Sequence, residues 1–319
     1  MNSVTEATSE LTTEIGVGFG KVILLGEHAV VYGSHALAAP IALAIQASVQ
    51  PIAAGVEVAI PAWGLQKHSY QAVGSDNHLD LLLSCLFGQL DLNPLNIRLV
   101  VQAHIPRASG LGGSAALAVA LIRALDYHYQ LKLCNEKINQ VAFECEKIAH
   151  GTPSGVDNTM ATWGKLLLFK RGEPPLKEVL TIPQPISLVI GFTGQSGSTA
   201  EQVAKLRQQK MNHPAVCERL FTEIDGLVLA AKQAILTNDL KQLGELMNIC
   251  QGLLNALQAS TWQLEQLIQI ARANGAMGAK LTGAGGGGAM IALCPDNEKQ
   301  VIHAMQQAGY QAMGVTIGQ

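Results

Sequence analysis

Aromatic residues are scarce. Phe, Tyr and Trp together make up 4% of the 319 residues. The interior cannot rest on ring packing, so Ala, Leu, Ile and Val must supply it. The cysteines form no C-x-x-C pair. None of Cys85, Cys134, Cys145, Cys217, Cys250 and Cys294 stands at metal-ligand spacing from a histidine. That excludes zinc-ribbon and dithiol-redox readings and predicts reduced, mostly buried thiols in a cytoplasmic protein. There is no basic block, and the net charge is −3, which argues against a nucleic-acid partner. No apolar run suits a membrane span; "ALAAPIALAI" is too short and carries Pro40. The N-terminal "MNSVTEATSELTTE" lacks the basic and apolar regions of a signal peptide and reads as a frayed tail. Internal repeats and low-complexity tracts are absent too.

What is present is a chain with 48% hydrophobic residues, long enough for two domains. "VGFGKVILL" (17–25), "ALAIQASVQPI" and "GVEVAI" read as strands. "NIRLVVQAHI" (96–105) alternates, with Ile97, Leu99, Val101, Ala103 and Ile105 on one face, until Pro106 stops it. Helical spacing follows over 114–129 and 135–150. The second helix carries Ile138, Val141, Ala142, Cys145, Ile148 and Ala149 on one stripe and ends at Gly151. "FKRGEPPLKEVLTIPQP" (169–185) gathers four prolines and marks the expected domain boundary, dividing the chain into 1–180 and 181–319. Beyond it, "ISLVIGF" is strand-like. Helical runs then span 199–211, 214–237 and 240–257, and "LTGAGGGGAMIALC" turns into a strand.

Three glycine-rich elements carry chemistry. In "IPRASGLGGSAALAVAL" (105–121) a strand ends, glycines turn, and a helix begins near Ser114. The free N–H groups and positive dipole end of such a helix form an anion site, and glycine lets the backbone approach phosphate oxygens. Ser114 can cap the helix, or its hydroxyl can reach a phosphate or Mg²⁺. No G-K-[ST] follows, so this is not a Walker A loop, and G-x-G-x-x-G is unmatched. In "GFGKVILLGEHAVVYG" (18–33), Lys21 sits inside an apolar strand. It is costly there unless paired, used or snorkelling from an edge. Glu27 and His28 could form a turn with a local ion pair. "KLTGAGGGGAMIAL" (280–293) places four consecutive glycines before a strand, a close backbone approach or a flexible loop. In "ECEKIAHGTPSGVDN", Asp157 follows a Pro- and Gly-shaped turn and could be a turn or capping aspartate. Glu144 and Glu146 both flank the apolar stripe, and periodicity does not say which faces a site.

Together and in order, these segments resemble the GHMP kinase superfamily of small-molecule kinases. "PRASGLGGSAA" is similar to its phosphate loop and "KLTGAGGGG" to its third motif. "GKVILLGEHAVVYG" and "HGTPSGVDN" resemble the branch that phosphorylates mevalonate. The resemblance implies an α+β fold: a ribosomal-protein-like N-terminal domain and a ferredoxin-like C-terminal domain, with ATP and mevalonate meeting between them. It implies Asp157 as catalytic base, with Lys21 beside it offsetting charge on the transferred phosphoryl. Ser109, Gly110, Leu111, Gly112, Gly113 and Ser114 would cradle ATP. Ser114 and Glu146 would hold Mg²⁺. Glu27, His28, Thr199, Gly283, Gly285 and Gly286 would serve the acceptor pocket. Members of the family are often homodimers. Where the family usually has two serines after G-L-G, the first is here Gly113, which implies altered nucleotide contacts. Arg107 and Ser109 also depart from the usual small residues.

Overall fold

The computed structural model describes residues 14–195 and 197–318; the N-terminal tail expected to fray lies, through residue 13, outside them. The chain opens with β1 (Gly16–Leu25) and the long β2 (His35–Pro51), then β3 (Val56–Ile60), β4 (Leu65–Ser69), α1 (His78–Gln89) and β5 (Ile97–Ala103). Next come α2 (Gly113–Tyr129), α3 (Asn135–His150), α4 (Val156–Trp163), β6 (Leu167–Lys170) and β7 (Leu176–Val179). These strands make a seven-stranded sheet in the order β4-β3-β5-β2-β6-β7, with β1 paired to β2.

Pro40 shows how β2 tolerates a proline. One flank of β2 pairs with β6 through residues 35–38 and with β5 through 45–51. Pro40 falls between the two, opposite Lys21 of β1, where one ladder lacks a partner and a missing N–H costs least.

Small residues set how α2 lies on this sheet. A Cβ on Gly18 would overlap the carbonyl oxygen of Ala116, so the helix backbone rests directly on β1. Ala115, Ala116, Ala118, Ala120 and Ala124 are buried along that helix. The shortage of aromatic residues is met by this close helix-on-strand packing.

The second sheet is built from β8 (Ile186–Phe192), β9 (Gly278–Thr282), β10 (Ala289–Leu293) and β11 (Gln311–Ile317), with order β11-β8-β10-β9 and antiparallel throughout. That is the strand order of a ferredoxin-like unit. Between β8 and β9 the chain runs through α5 (Thr199–Asn212), α6 (Pro214–Leu236), α7 (Leu240–Ala256) and α8 (Trp262–Ala273). A final helix, α9 (Glu298–Gln307), precedes β11. The proline-rich segment 169–185 is not all linker, since β7 within it still pairs with β6.

The two sheets share one buried apolar cluster running from Val22 to Ile317. Side chains also stitch them. Thr282 accepts from the Ile23 N–H at 2.9 Å and donates to the Ile23 carbonyl at 3.1 Å. Tyr32 stacks on Phe221 of α6 with centroids 4.6 Å apart. The stripe on α3 is buried at Ile138, Val141, Ala142 and Cys145. Ile148 is the exception; it is 39% exposed and lines a cavity. The side chain of Ala149 lies outside the described residues. Among the described residues, no helix is long and apolar enough to cross a membrane.

Candidate active site

A cavity of about 800 Å³ opens where β1, the turn before α2, α3, α4 and the glycine turn after β9 converge. Lys21 projects from β1 into it. Lys21 is buried, and its Nζ lies 2.7 Å from Oδ1 of Asp157. A charge here is tolerated because it meets an opposite charge and the Gly110 carbonyl, 3.3 Å from Nζ. Lys21 therefore does not snorkel to solvent. Its backbone N–H donates to the Leu111 carbonyl at 3.0 Å, which ties the turn to the strand.

Asp157 sits in the first turn of α4, not in a loop. The expected turn closes two residues earlier, with Gly155 as a left-handed N-cap that offers no side chain. A carboxylate in that first turn faces the positive end of the helix.

Helix α2 also differs from expectation. Its N-cap is Gly112, at φ 76°, and no side chain caps it. Ser114 is the second helical residue, and its hydroxyl lies 3.1 Å from Nε2 of His150. The helix N-terminus thus presents uncapped N–H groups beside the cavity, a ready anion site.

The two glutamates of α3 separate cleanly. Glu144 is partly exposed and pairs with Lys147 at 2.8 Å. Glu146 is 2% exposed and lines the cavity. Burial and the charge of Asp157 push its carboxyl up to about 8, against the pull of the Ser114 hydroxyl and the Lys21 ammonium. His150 Nε2 is 3.6 Å from Glu146 Oε2, and burial holds this imidazole below its usual range.

On the opposite wall, His28 has φ 62° and its Nε2 lies 2.9 Å from the Ala284 carbonyl. Glu27 does not pair with its neighbour; it is fully buried against Lys280. Of the residues singled out in the sequence, Lys21, His28, Ser109, Gly110, Gly112, Gly113, Ser114, Glu146, Asp157, Thr199 and Gly283 line the cavity. Leu111, Glu27, Gly285 and Gly286 do not. Leu111 faces the core. A Cβ on Gly285 would overlap the Ala259 carbonyl, and one on Gly286 the Gln202 amide, so these glycines serve close packing behind the site.

Sequence reasoning missed His150, Lys280 and the apolar arm of the cavity formed by Trp63, Leu65, Leu79 and Leu82. His150 and Lys280 stand inside recognised motifs and were within reach. The apolar arm has no local signal, because β4 and α1 meet only in the folded chain. Arg107 also lines the cavity and is exposed; nothing in the structure explains its choice.

A buried ammonium against a helix-borne carboxylate, at the mouth of an uncapped helix, is equipped to transfer a phosphoryl group, and two α+β halves frame it. The comparisons agree. The model of the GHMP kinases N-terminal domain matches residues 79–165, and that of the GHMP kinase C-terminal domain matches 231–311. The mevalonate kinase of Pyrococcus horikoshii is 36% identical over 309 residues, and that of Thermococcus gammatolerans 35% over 310, with 91% of each chain covered in both cases. The crystal structure of L. major mevalonate kinase in complex with R-mevalonate superposes with a TM-score of 0.81 at 31% identity, covering 96% of both chains. The chain belongs to the GHMP kinase family and, within it, to the mevalonate kinases.

Proposed function

We propose that this enzyme moves the γ-phosphoryl of ATP to the 5-hydroxyl of (R)-mevalonate, yielding 5-phosphomevalonate and ADP, a step in making isoprenoid precursors. The observation that carries the mechanism is the 2.7 Å pair between Lys21 and Asp157 beside the α2 N-terminus. Asp157 accepts the proton of the acceptor hydroxyl. The freed oxygen bonds to the γ-phosphorus while the bond to the β-bridging oxygen breaks, and ADP leaves with that electron pair. The transition state is loose, so positioning and charge stabilisation supply most of the rate. Lys21 orients the carboxylate and offsets charge on the transferring group. The backbone of Gly110, Gly112 and Gly113 holds the phosphates, with Ser109 alongside. The apolar arm at Trp63 and Leu79 takes the base. His28, Thr199 and Gly283 edge the acceptor. Residues 1–180 and 181–319 are the two domains, and both substrates meet between them.

The residues fit a magnesium ion. Glu146 is a buried carboxylate whose proton affinity is raised by burial and by the charge of Asp157, and Ser114 adds a hydroxyl. Among the described residues, no cluster of three or more His, Cys, Asp or Glu could hold a metal alone. Mg²⁺ is commonly held by one or two carboxylates together with substrate phosphates and water. Held by Glu146 and Ser114, the ion would neutralise charge on the phosphates.

The test is ADP release with ATP and Mg²⁺, run in parallel on mevalonate, phosphomevalonate, galactose and homoserine, with D157N as control. Turnover on mevalonate alone is expected, with D157N losing about 10²–10⁴-fold in kcat while still binding ATP. Activity confined to another acceptor would overturn the substrate. Full activity in D157N would overturn the role of the aspartate.

A further inference from the structure

Glu27 is the acidic residue of the G-E-H turn, yet it does not reach the cavity. Its carboxylate is wholly buried and paired through Oε1 with the Lys280 ammonium, 253 positions along the chain. Lys280 is also wholly buried, and it donates a second hydrogen bond to the Leu281 carbonyl at 2.7 Å. Among the described residues, Glu27 Oε2 has no hydrogen-bond partner, so the Lys280 ammonium is the side chain that directly grips this carboxylate.

A buried ion pair is a poor device for stability, since apolar residues of similar volume often serve as well. Its placement suggests another use. Three side-chain links join β1 and its turn to β9 and the following glycine turn: Thr282 to Ile23, Lys280 to Glu27, and His28 to Ala284. The middle link grips the residue just before His28. His28 holds φ 62°, a conformation that non-glycine residues adopt only when their surroundings impose it. His28, Gly283 and Ala284 all line the cavity, so what fixes this seam fixes one wall of the site.

We propose that Lys280 is a positioning residue for the acceptor. Acting through Glu27, it locks the G-E-H turn and its His28 against the third glycine motif, and Glu27 itself never touches substrate. This rests on the reading of the cavity as an acceptor site, which wild-type turnover tests separately.

The experiment measures kcat, mevalonate KM, ATP KM and thermal midpoint for wild type, E27M, K280M, E27M/K280M and K280R. K280R keeps the charge and changes its reach. It is expected to melt within a few degrees of wild type and to raise mevalonate KM about tenfold with ATP KM within about twofold. The two single methionine variants should raise mevalonate KM, and the double variant no more than the worse single, because both residues act through one link. Multiplying effects in the double would mean that Glu27 meets the acceptor directly and would overturn the proposal. So would an unchanged mevalonate KM in K280R, which would leave the pair purely structural. If either methionine single fails to fold, K280R decides. A wild type active only on another acceptor overturns the substrate, and the same comparison is then made on that acceptor's KM.

Discussion

The Cβ that Gly112 lacks would stand 3.1 Å from Cγ and 3.2 Å from Cε of Lys21. Gly112 is therefore the slot through which Lys21 reaches Asp157. Its φ of 76° adds a second demand for glycine. G112A should cost about 1–2 kcal/mol of backbone strain and displace Lys21, lowering kcat more than it raises ATP KM. Gly113 makes the contrast. Its φ is ordinary, and an added Cβ would meet Ile105 at 3.6 Å and Trp63 at 3.9 Å, normal contact distances. G113S should fold with an unchanged thermal midpoint. Steady-state kinetics and melting curves on the two variants check both statements.

Glu146 is the carboxylate that a cation would relieve. E146Q should raise the Mg²⁺ concentration for half-maximal rate by about tenfold or more, since a neutral amide is a far weaker ligand than a carboxylate. Fold and thermal midpoint without metal should be preserved near neutral pH, because a carboxyl pushed up to about 8 is largely neutral there and the amide is close to it in size and polarity. A titration of rate against Mg²⁺ at fixed ATP decides it. Chelation should abolish turnover without altering the circular dichroism spectrum.

Burial holds His28 below the ordinary histidine range. The Ala284 carbonyl pulls it up and the Lys280 charge pushes it down. The unfolded chain therefore takes up this proton before the folded one as pH falls. The stability is present above about 6.5 and is lost as pH drops from there toward the folded value, by up to about 1.4 kcal/mol per pH unit. H28N should flatten the dependence of thermal midpoint on pH between about 7 and 5. An equal slope in both proteins would refute this.

Cys134 is exposed and Cys85 partly so, while Cys145, Cys217, Cys250 and Cys294 are buried. Burial pushes the Cys250 and Cys294 thiols up to about 12. Since the thiolate is the reactive form, a native-state titration with Ellman's reagent should report Cys134 quickly and Cys85 slowly. The other four should appear only in denaturant.

Helices α3, α6 and α7 were legible in the sequence because each repeats its apolar residues with helical period over more than three turns, and α2 because a long apolar run follows the glycines. Helix α4 was not. It spans eight residues behind Gly155 without a side-chain cap, so its start looks like more loop. Strands β6 and β7 have four residues each, too few for alternation to show. Within the site, Lys21 and Asp157 stood out through motif, and Glu146 could be told from Glu144 only by resemblance. Lys280 opens the third glycine motif, yet no spacing links it to Glu27.

By itself, the sequence determined the local events: where strands stop at Pro106, where glycines must turn, and which helices carry an apolar stripe. It also carried the motifs that announce phosphoryl transfer. These depend on neighbours a few residues apart, whose dihedral preferences and periodicity survive without a fold. Only the tertiary structure decided that Lys21 meets Asp157 136 positions away, that Glu27 turns from the cavity to Lys280, and that β4 and α1 close an apolar arm. Those pairings depend on desolvation and charge at a distance, and a buried carboxylate takes its partner from whichever chain segment packing brings to it.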